Sequence, residues 1–106
     1  MKITIKTFTL TNRKTYEIDQ EQQTFKISNK HFNTDVEYAT LFIDMISTTW
    51  PNLLEDNTIQ DGLIVKIIIT DKDKKRTHTF RNKFPNNFSS LLDFLDGVEN
   101  NVSRTL

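Results

Sequence analysis

The run Leu63-Ile64-Val65-Lys66-Ile67-Ile68-Ile69-Thr70 constrains the fold more than any other stretch of the chain. Leu63, Val65, Ile67 and Ile69 share one face of a strand. Ile64 and Ile68 share the other face with Lys66 and Thr70. The charged segment Asp71-Lys72-Asp73-Lys74-Lys75 follows, then Arg76-Thr77-His78-Thr79-Phe80-Arg81 as an antiparallel partner. With no glycine in it, that connection reads as a longer loop built on a type I turn, not a two-residue turn. Downstream, Pro85 suits a first helical position, and Phe84 and Phe88 flank it as a hydrophobic staple. Phe88, Leu91, Leu92 and Leu95 then give an i, i+3, i+4, i+7 stripe, with Gly97 as a left-handed C-cap. A central strand, its hairpin partner and a covering helix are therefore expected between Leu63 and Leu95.

The upstream half supplies more strands and one more helix. Ile3 and Ile5 alternate with Lys2, Thr4 and Lys6, but Phe8 and Leu10 fall on the Lys2 side. A bulge or strand break near Thr7 is the expectation. Lys14–Ile18 and Thr24–Ser28 read as a hairpin around Asp19-Gln20-Glu21-Gln22. Thr34-Asp35-Val36-Glu37 reads as a capping box. Tyr38, Leu41, Phe42, Met45 and Ile46 follow at helical spacing as the core stripe, and Pro51 ends that helix near Thr49. Leu53 and Leu54 read as a last apolar turn, and Asp61-Gly62 as the turn into the central strand.

The expected order is β-β-β-α-β-β-α. That is an α+β fold, an antiparallel sheet of about five strands with two helices packed on one face. At 106 residues the chain is expected to form one domain, 1–106, with 99–106 a frayed tail.

Composition removes several function classes. The 14 Lys and Arg balance the 14 Asp and Glu, which argues against binding nucleic acid through overall charge. The absence of cysteine leaves no disulfide framework, thiolate metal site or cysteine nucleophile. Two glycines cannot build a phosphate-cradling loop of the Walker or dinucleotide kind, and Ser89-Ser90 lies outside any G-x-S-x-G elbow. No transmembrane helix can be drawn, and no apolar h-region follows Met1, so the cytoplasm is the expected compartment.

The layout resembles a widespread type of small bacterial α+β protein. The matching pieces are Tyr16-Glu17-Ile18-Asp19 before a hairpin, Trp50 after the first helix, Asp61-Gly62 before a long strand, and Phe84-Pro85-Asn86-Asn87-Phe88 opening a Leu-rich last helix. They span most of the chain. Where that pattern ends its second hairpin strand in small residues and glycine, this chain has Arg81-Asn82-Lys83. The resemblance implies a bacterial source and brings no activity and no functional residue with it.

Residues that could carry chemistry are few. His31 falls in a loop, and His78 reads as a rim residue of the edge hairpin. Neither has a partner at metal-ligand spacing, so no metal and no cofactor are expected. Glu55-Asp56 and Asp93/Asp96 are paired carboxylates, best read as solvated surface. No catalytic residue is assigned, and the chain is expected not to be an enzyme.

Charge layout is more informative. From Asp35 to Val65 there are six acidic residues and no Lys or Arg, and Phe84 to Ser103 adds Asp93, Asp96 and Glu99 with no base. The N-terminal strands and the 66–83 hairpin are basic. Acidic helices beside a basic sheet suit docking to a charged partner. The expected function is a small non-enzymatic binding protein of the immunity, inhibitor or phage-blocker kind. It would dock onto an unidentified protein through Asp44, Glu55, Asp56, Asp61 and Phe94, on the acidic helical side, or through a free sheet edge. The alternative is nucleic-acid binding through Lys72, Lys74, Lys75, Arg76, Arg81 and Lys83. A second alternative is an enzyme subunit or structural domain, and homodimerisation through an edge strand is a further option.

Overall fold

A computed structural model describes residues 1–58 and 62–104, with side chains through residue 100. Its fold is α+β, a mixed sheet of seven strands and two helices. In chain order the elements are β1 (Lys2–Phe8), β2 (Arg13–Asp19), β3 (Thr24–Ile27), β4 (Lys30–His31), α1 (Val36–Ser47), β5 (Leu53–Glu55), β6 (Ile64–Asp71), β7 (Lys74–Arg81) and α2 (Phe88–Arg104). Across the sheet the order is β4-β3-β2-β1-β6-β7-β5.

The apolar run does sit at the centre of the sheet. β6 pairs antiparallel with β1 on one side and β7 on the other. Ile3, Ile5, Tyr16, Ile18, Phe25, Ile27, Val65, Ile67, Ile69 and Phe80 are buried on one face, under both helices. α1 begins beside β2, where Gln20 Nε2 donates to Glu37 Oε1, and its last turns lie over Arg76 of β7. α2 starts over Phe80 and runs back to β2, where Lys14 Nζ meets Glu99 Oε1 at 2.9 Å. The helices are therefore antiparallel neighbours. The opposite face has no third layer among the described residues. Ile64 and Ile68 are half-buried there because they pair across strands with Phe8, Thr4 and Thr77.

Several expectations are corrected. The sheet has two further short strands, and β5 is parallel to β7, so it is mixed and not all antiparallel. Leu53-Leu54 is thus a strand and not a helical turn. Thr79 N donates to Asn52 O at 2.8 Å and Asp56 N to Arg81 O at 2.9 Å, which satisfies the backbone of β7 that would otherwise be bare. β1 has no bulge, since every residue from Lys2 to Phe8 is in register with β2 and β6. Thr7 joins the inner row beside Val65, and Phe8 the outer.

The turns depart from expectation for a common reason: residues other than glycine accept left-handed backbone. The β6–β7 connection is a two-residue turn, Lys72-Asp73, with Lys72 at φ 56°. Ser28 and Asn29, at φ 48° and 71°, make a two-residue turn that adds β4. Asn82 takes φ 60° just after β7.

The helix ends also shift. Asp35, not Thr34, caps α1, its Oδ1 accepting from Tyr38 N at 3.0 Å. Pro85 lies in the turn before α2, its carbonyl accepting from Phe88 N. The staple itself forms, with the Phe84 and Phe88 rings stacked at 4.7 Å. Gly97 is no cap, for α2 passes through it. Of the frayed tail expected at 99–106, residues 99–104 continue α2, and 105 and 106 lie outside the described residues.

The largest correction concerns α1. Its buried residues are Val36, Ala39, Thr40, Ile43 and Ser47; of the expected stripe only Phe42 and Ile46 pack against the core, half-buried, while Tyr38, Leu41 and Met45 are exposed. Thr40 and Ser47 are tolerated inside because each hydroxyl donates to a backbone carbonyl one turn back, at 2.8 and 2.7 Å.

Candidate functional site

The helix that turns small residues inward turns large apolar ones outward. Tyr38 is 57% exposed, Leu41 55% and Met45 67%. Their i, i+3, i+7 spacing makes one straight ridge about 10 Å long on the summit of α1. A soluble helix ordinarily buries its bulkiest apolar face, so this inversion is informative.

Toward α2 the ridge continues into an aromatic seam. The Tyr38 ring stacks on Phe42 at 6.0 Å, Phe42 meets Phe94 at 5.0 Å, and Tyr38 meets Phe94 at 5.9 Å. Phe42 and Phe94 are half-buried, with one side of the cluster in the core and the other against water. Gly97, one turn beyond Phe94 on α2, would place a methyl within 4 Å of nothing. The seam therefore opens into free space at that end.

Acidic residues frame the ridge. Glu37 and Asp44 border it on α1, and Asp93 and Asp96 are exposed along α2. From residue 36 to residue 100 neither helix contains a Lys or Arg. Arg76 reaches this border from β7 and pairs with Asp44 there.

The residues expected to form a docking face do not all meet here. Phe94 is in the seam and Asp44 is on its border. Asp44 Oδ1 is held by Arg76 Nη2 at 3.0 Å. Glu55 and Asp56 lie at the end of β5 beside Arg81, and Arg76 and Arg81 are about 17 Å apart along β7. Asp56 Oδ1 accepts from the Thr58 amide and hydroxyl, which hold its pKa below the ordinary 3.8. Asp61 lies outside the described residues.

The basic set is divided too. Lys72, Lys74 and Lys75 are at the tip of the β6–β7 hairpin, and Arg81 and Lys83 are at the far end of β7. Arg76 points inward to Asp44 and to Ser47 Oγ, 2.8 Å away. The uncovered sheet face is nevertheless basic, with Lys2, Lys6, Arg13, Lys26, Lys66, Lys75 and Arg81 against Glu17, Asp19 and Glu55. Phe8 is its aromatic residue, with the Arg13 guanidinium 5.7 Å over the ring. Tyr16, Phe25 and Phe80 belong to the core.

The histidines part company. His31 is exposed on β4. His78, expected at a rim, is 1% exposed beneath Trp50 and beside Phe80. Its Nδ1 lies 2.9 Å from the Pro51 carbonyl, an acceptor only, so Nδ1 carries the proton. Its Nε2 is buried without a hydrogen-bond partner. Burial, with a smaller effect from Arg76, lowers its pKa below the ordinary 6.5, against the opposing pull of the Pro51 carbonyl. Trp50 is likewise buried, its Nε1 donating to Asn86 O at 3.0 Å.

Among the described residues no three His, Asp or Glu side chains gather so as to hold a metal ion, and no helix is long and apolar enough to cross a membrane. A cleft of about 490 Å³ lies between α1 and the β6–β7 hairpin. Arg76 and Asp44 line it and bond each other there.

Fold and surface together define a class: a two-layer domain whose mixed sheet is covered on one face by an antiparallel helix pair with an acid-framed apolar summit. No family model, curated protein or solved structure matches the chain.

Residue size is the signal in the sequence that could have pointed to this ridge. Ala39, Thr40 and Ile43 form a second stripe at helical spacing, and its mostly small side chains are among those α1 turns inward.

Proposed function

We propose that this chain is a non-enzymatic docking protein, of the kind that acts as an inhibitor, immunity protein or blocker by covering a surface on another protein. The observation that carries the proposal is the exposed ridge Tyr38, Leu41 and Met45, flanked by Phe42 and Phe94 and bordered by Glu37, Asp93 and Asp96, with Asp44 paired to Arg76. Aromatic and Met side chains on an apolar patch are typical of the cores of protein interfaces. Acidic borders speed and orient the approach of a basic partner surface.

The sheet edges support the helical side as the docking face. One edge strand has two residues and the other three, too short to template a long added strand. Nucleic-acid binding has weaker support. The basic face offers charge, but its aromatic side chains are mostly in the core, so base stacking is poorly served.

The test is a photo-reactive amino acid placed in the full chain at Leu41 or, separately, at Lys66 on the open sheet, followed by irradiation in lysate of the source cells. A discrete protein adduct from position 41, absent from position 66, is the expected result. Adducts from position 66 alone, or nuclease-sensitive adducts, overturn the proposal in favour of the basic face.

A further inference from the structure

We infer that the partner presents an amphipathic α-helix whose apolar stripe is bordered by Lys or Arg, and that this helix lies along α1 over the Phe42–Phe94 seam. The inference rests on the docking function proposed above and adds the chemistry of the partner.

Shape is the first reason. Tyr38, Leu41 and Met45 form a straight ridge two helical turns long, with the half-buried Phe42 and Phe94 rings set lower beside it. Beyond Phe94 the surface drops to Gly97, where there is no side chain and nothing near. A ridge beside a shallow trough accepts a rod whose own side chains recur every three or four residues. A flat sheet or a loop would leave either the ridge or the trough unfilled.

Charge is the second reason. Glu37 stands on one side of the apolar strip, next to an Asp44 already paired with Arg76, and Asp93 and Asp96 stand on the other. An amphipathic helix carries its charged residues on both flanks of its apolar stripe, so Lys or Arg there would meet acids on both sides. The same layout opposes two other occupants. A second copy presenting this face would set acid against acid, and an anionic membrane surface would be repelled.

The unmodified chain, uniformly labelled with ¹⁵N, is titrated with a synthetic Leu/Lys peptide of about 18 residues, long enough for five turns. Its controls are a same-composition scramble and a Leu/Glu version. Expected are amide shifts centred on Tyr38, Leu41, Met45 and Phe94, with affinity at least about tenfold above the scramble. The Leu41→Ser/Met45→Ser variant, altered only at exposed positions, is expected to lose about tenfold. Equal binding of the scramble or of the Leu/Glu peptide, or shifts confined to the open sheet, overturns the inference. The cross-link at Leu41 separates this failure from failure of the docking proposal. A protein captured there through a strand, through a loop or as a second copy of this chain leaves the docking surface standing and removes the helix.

Discussion

Arg76 and Asp44 neutralise each other, Nη2 to Oδ1 at 3.0 Å, and so join the most basic strand of the sheet to the acidic helix that covers it. One residue belonged to the expected nucleic-acid surface and the other to the expected docking surface. Their pairing draws both away from outside partners. The same Nη2 lies 2.8 Å from Ser47 Oγ, whose hydroxyl hydrogen goes to Ile43 O, so the guanidinium is fixed by two acceptors.

The ion pair is about one-third exposed on each side, which places its worth in the range of surface pairs. A double-mutant cycle with Asp44→Asn and Arg76→Gln, read by urea unfolding, should give a coupling of about 0.5 kcal/mol and no more than about 1 kcal/mol. A coupling above about 2 kcal/mol would show the pair to be effectively buried.

Leu41 and Met45 should behave unlike core residues. Leu41→Ser/Met45→Ser should change unfolding stability by no more than about 0.5 kcal/mol while abolishing capture of the partner. Ile43→Ala, one residue pair away but fully buried, should cost about 2–5 kcal/mol. Similar losses of stability at all three positions would place the ridge in the core.

Acid should weaken the fold through His78. Its pKa in the folded chain lies below the ordinary 6.5, so the folded state resists taking up a proton that the unfolded chain accepts. The stability contribution is whole above pH 6.5 and is lost as pH falls through the lower folded value. Asp56, held below 3.8, acts only in a more acid window. Urea midpoints taken from pH 8 to pH 5 should therefore fall below pH 6.5. The fall should be largely absent in His78→Phe, and an unchanged slope in that variant would assign the effect elsewhere.

The two glycines should respond in opposite directions. Gly97→Ala fills open space within α2 and should stabilise by about 0.5–1 kcal/mol. At Gly62 an added Cβ would fall on the Asn82 side-chain amide, so Gly62→Ala should destabilise by about 1–3 kcal/mol. Asn82→Gly removes the obstructing side chain and keeps a residue that accepts φ 60°, so it should recover part of that loss in the double variant. Thermal melts of the three variants check this.

Much of the fold was legible because period and apolarity are local signals. Ile3, Ile5, Val65, Ile67 and Ile69 alternate, and they are buried on one face as that alternation requires. The Phe84–Phe88 staple and the burial of Leu91 and Leu95 follow from spacing within one segment. β4 and β5 were not legible. Two or three residues carry no period, and β5 exists only because the edge of β7 offers backbone groups to pair with.

The candidate site divides in the same way. Its acidic frame is visible in two stretches without Lys or Arg, Asp35 to Val65 and Phe84 to Ser103. Its apolar ridge is not, because α1 has apolar residues at helical spacing on two faces. Periodicity alone cannot say which face is inside.

By itself, then, the sequence determined the number of helices, the central strand, the segregation of charge and the absence of cysteine chemistry, since each is a property of composition or of short-range order. Only the tertiary structure decided that Ala39, Thr40 and Ser47 go in while Tyr38, Leu41 and Met45 stay out. It also decided that His78 is buried and that Arg76 closes on Asp44. These outcomes depend on which side chains meet when segments far apart in the chain pack together, and no short-range period records that.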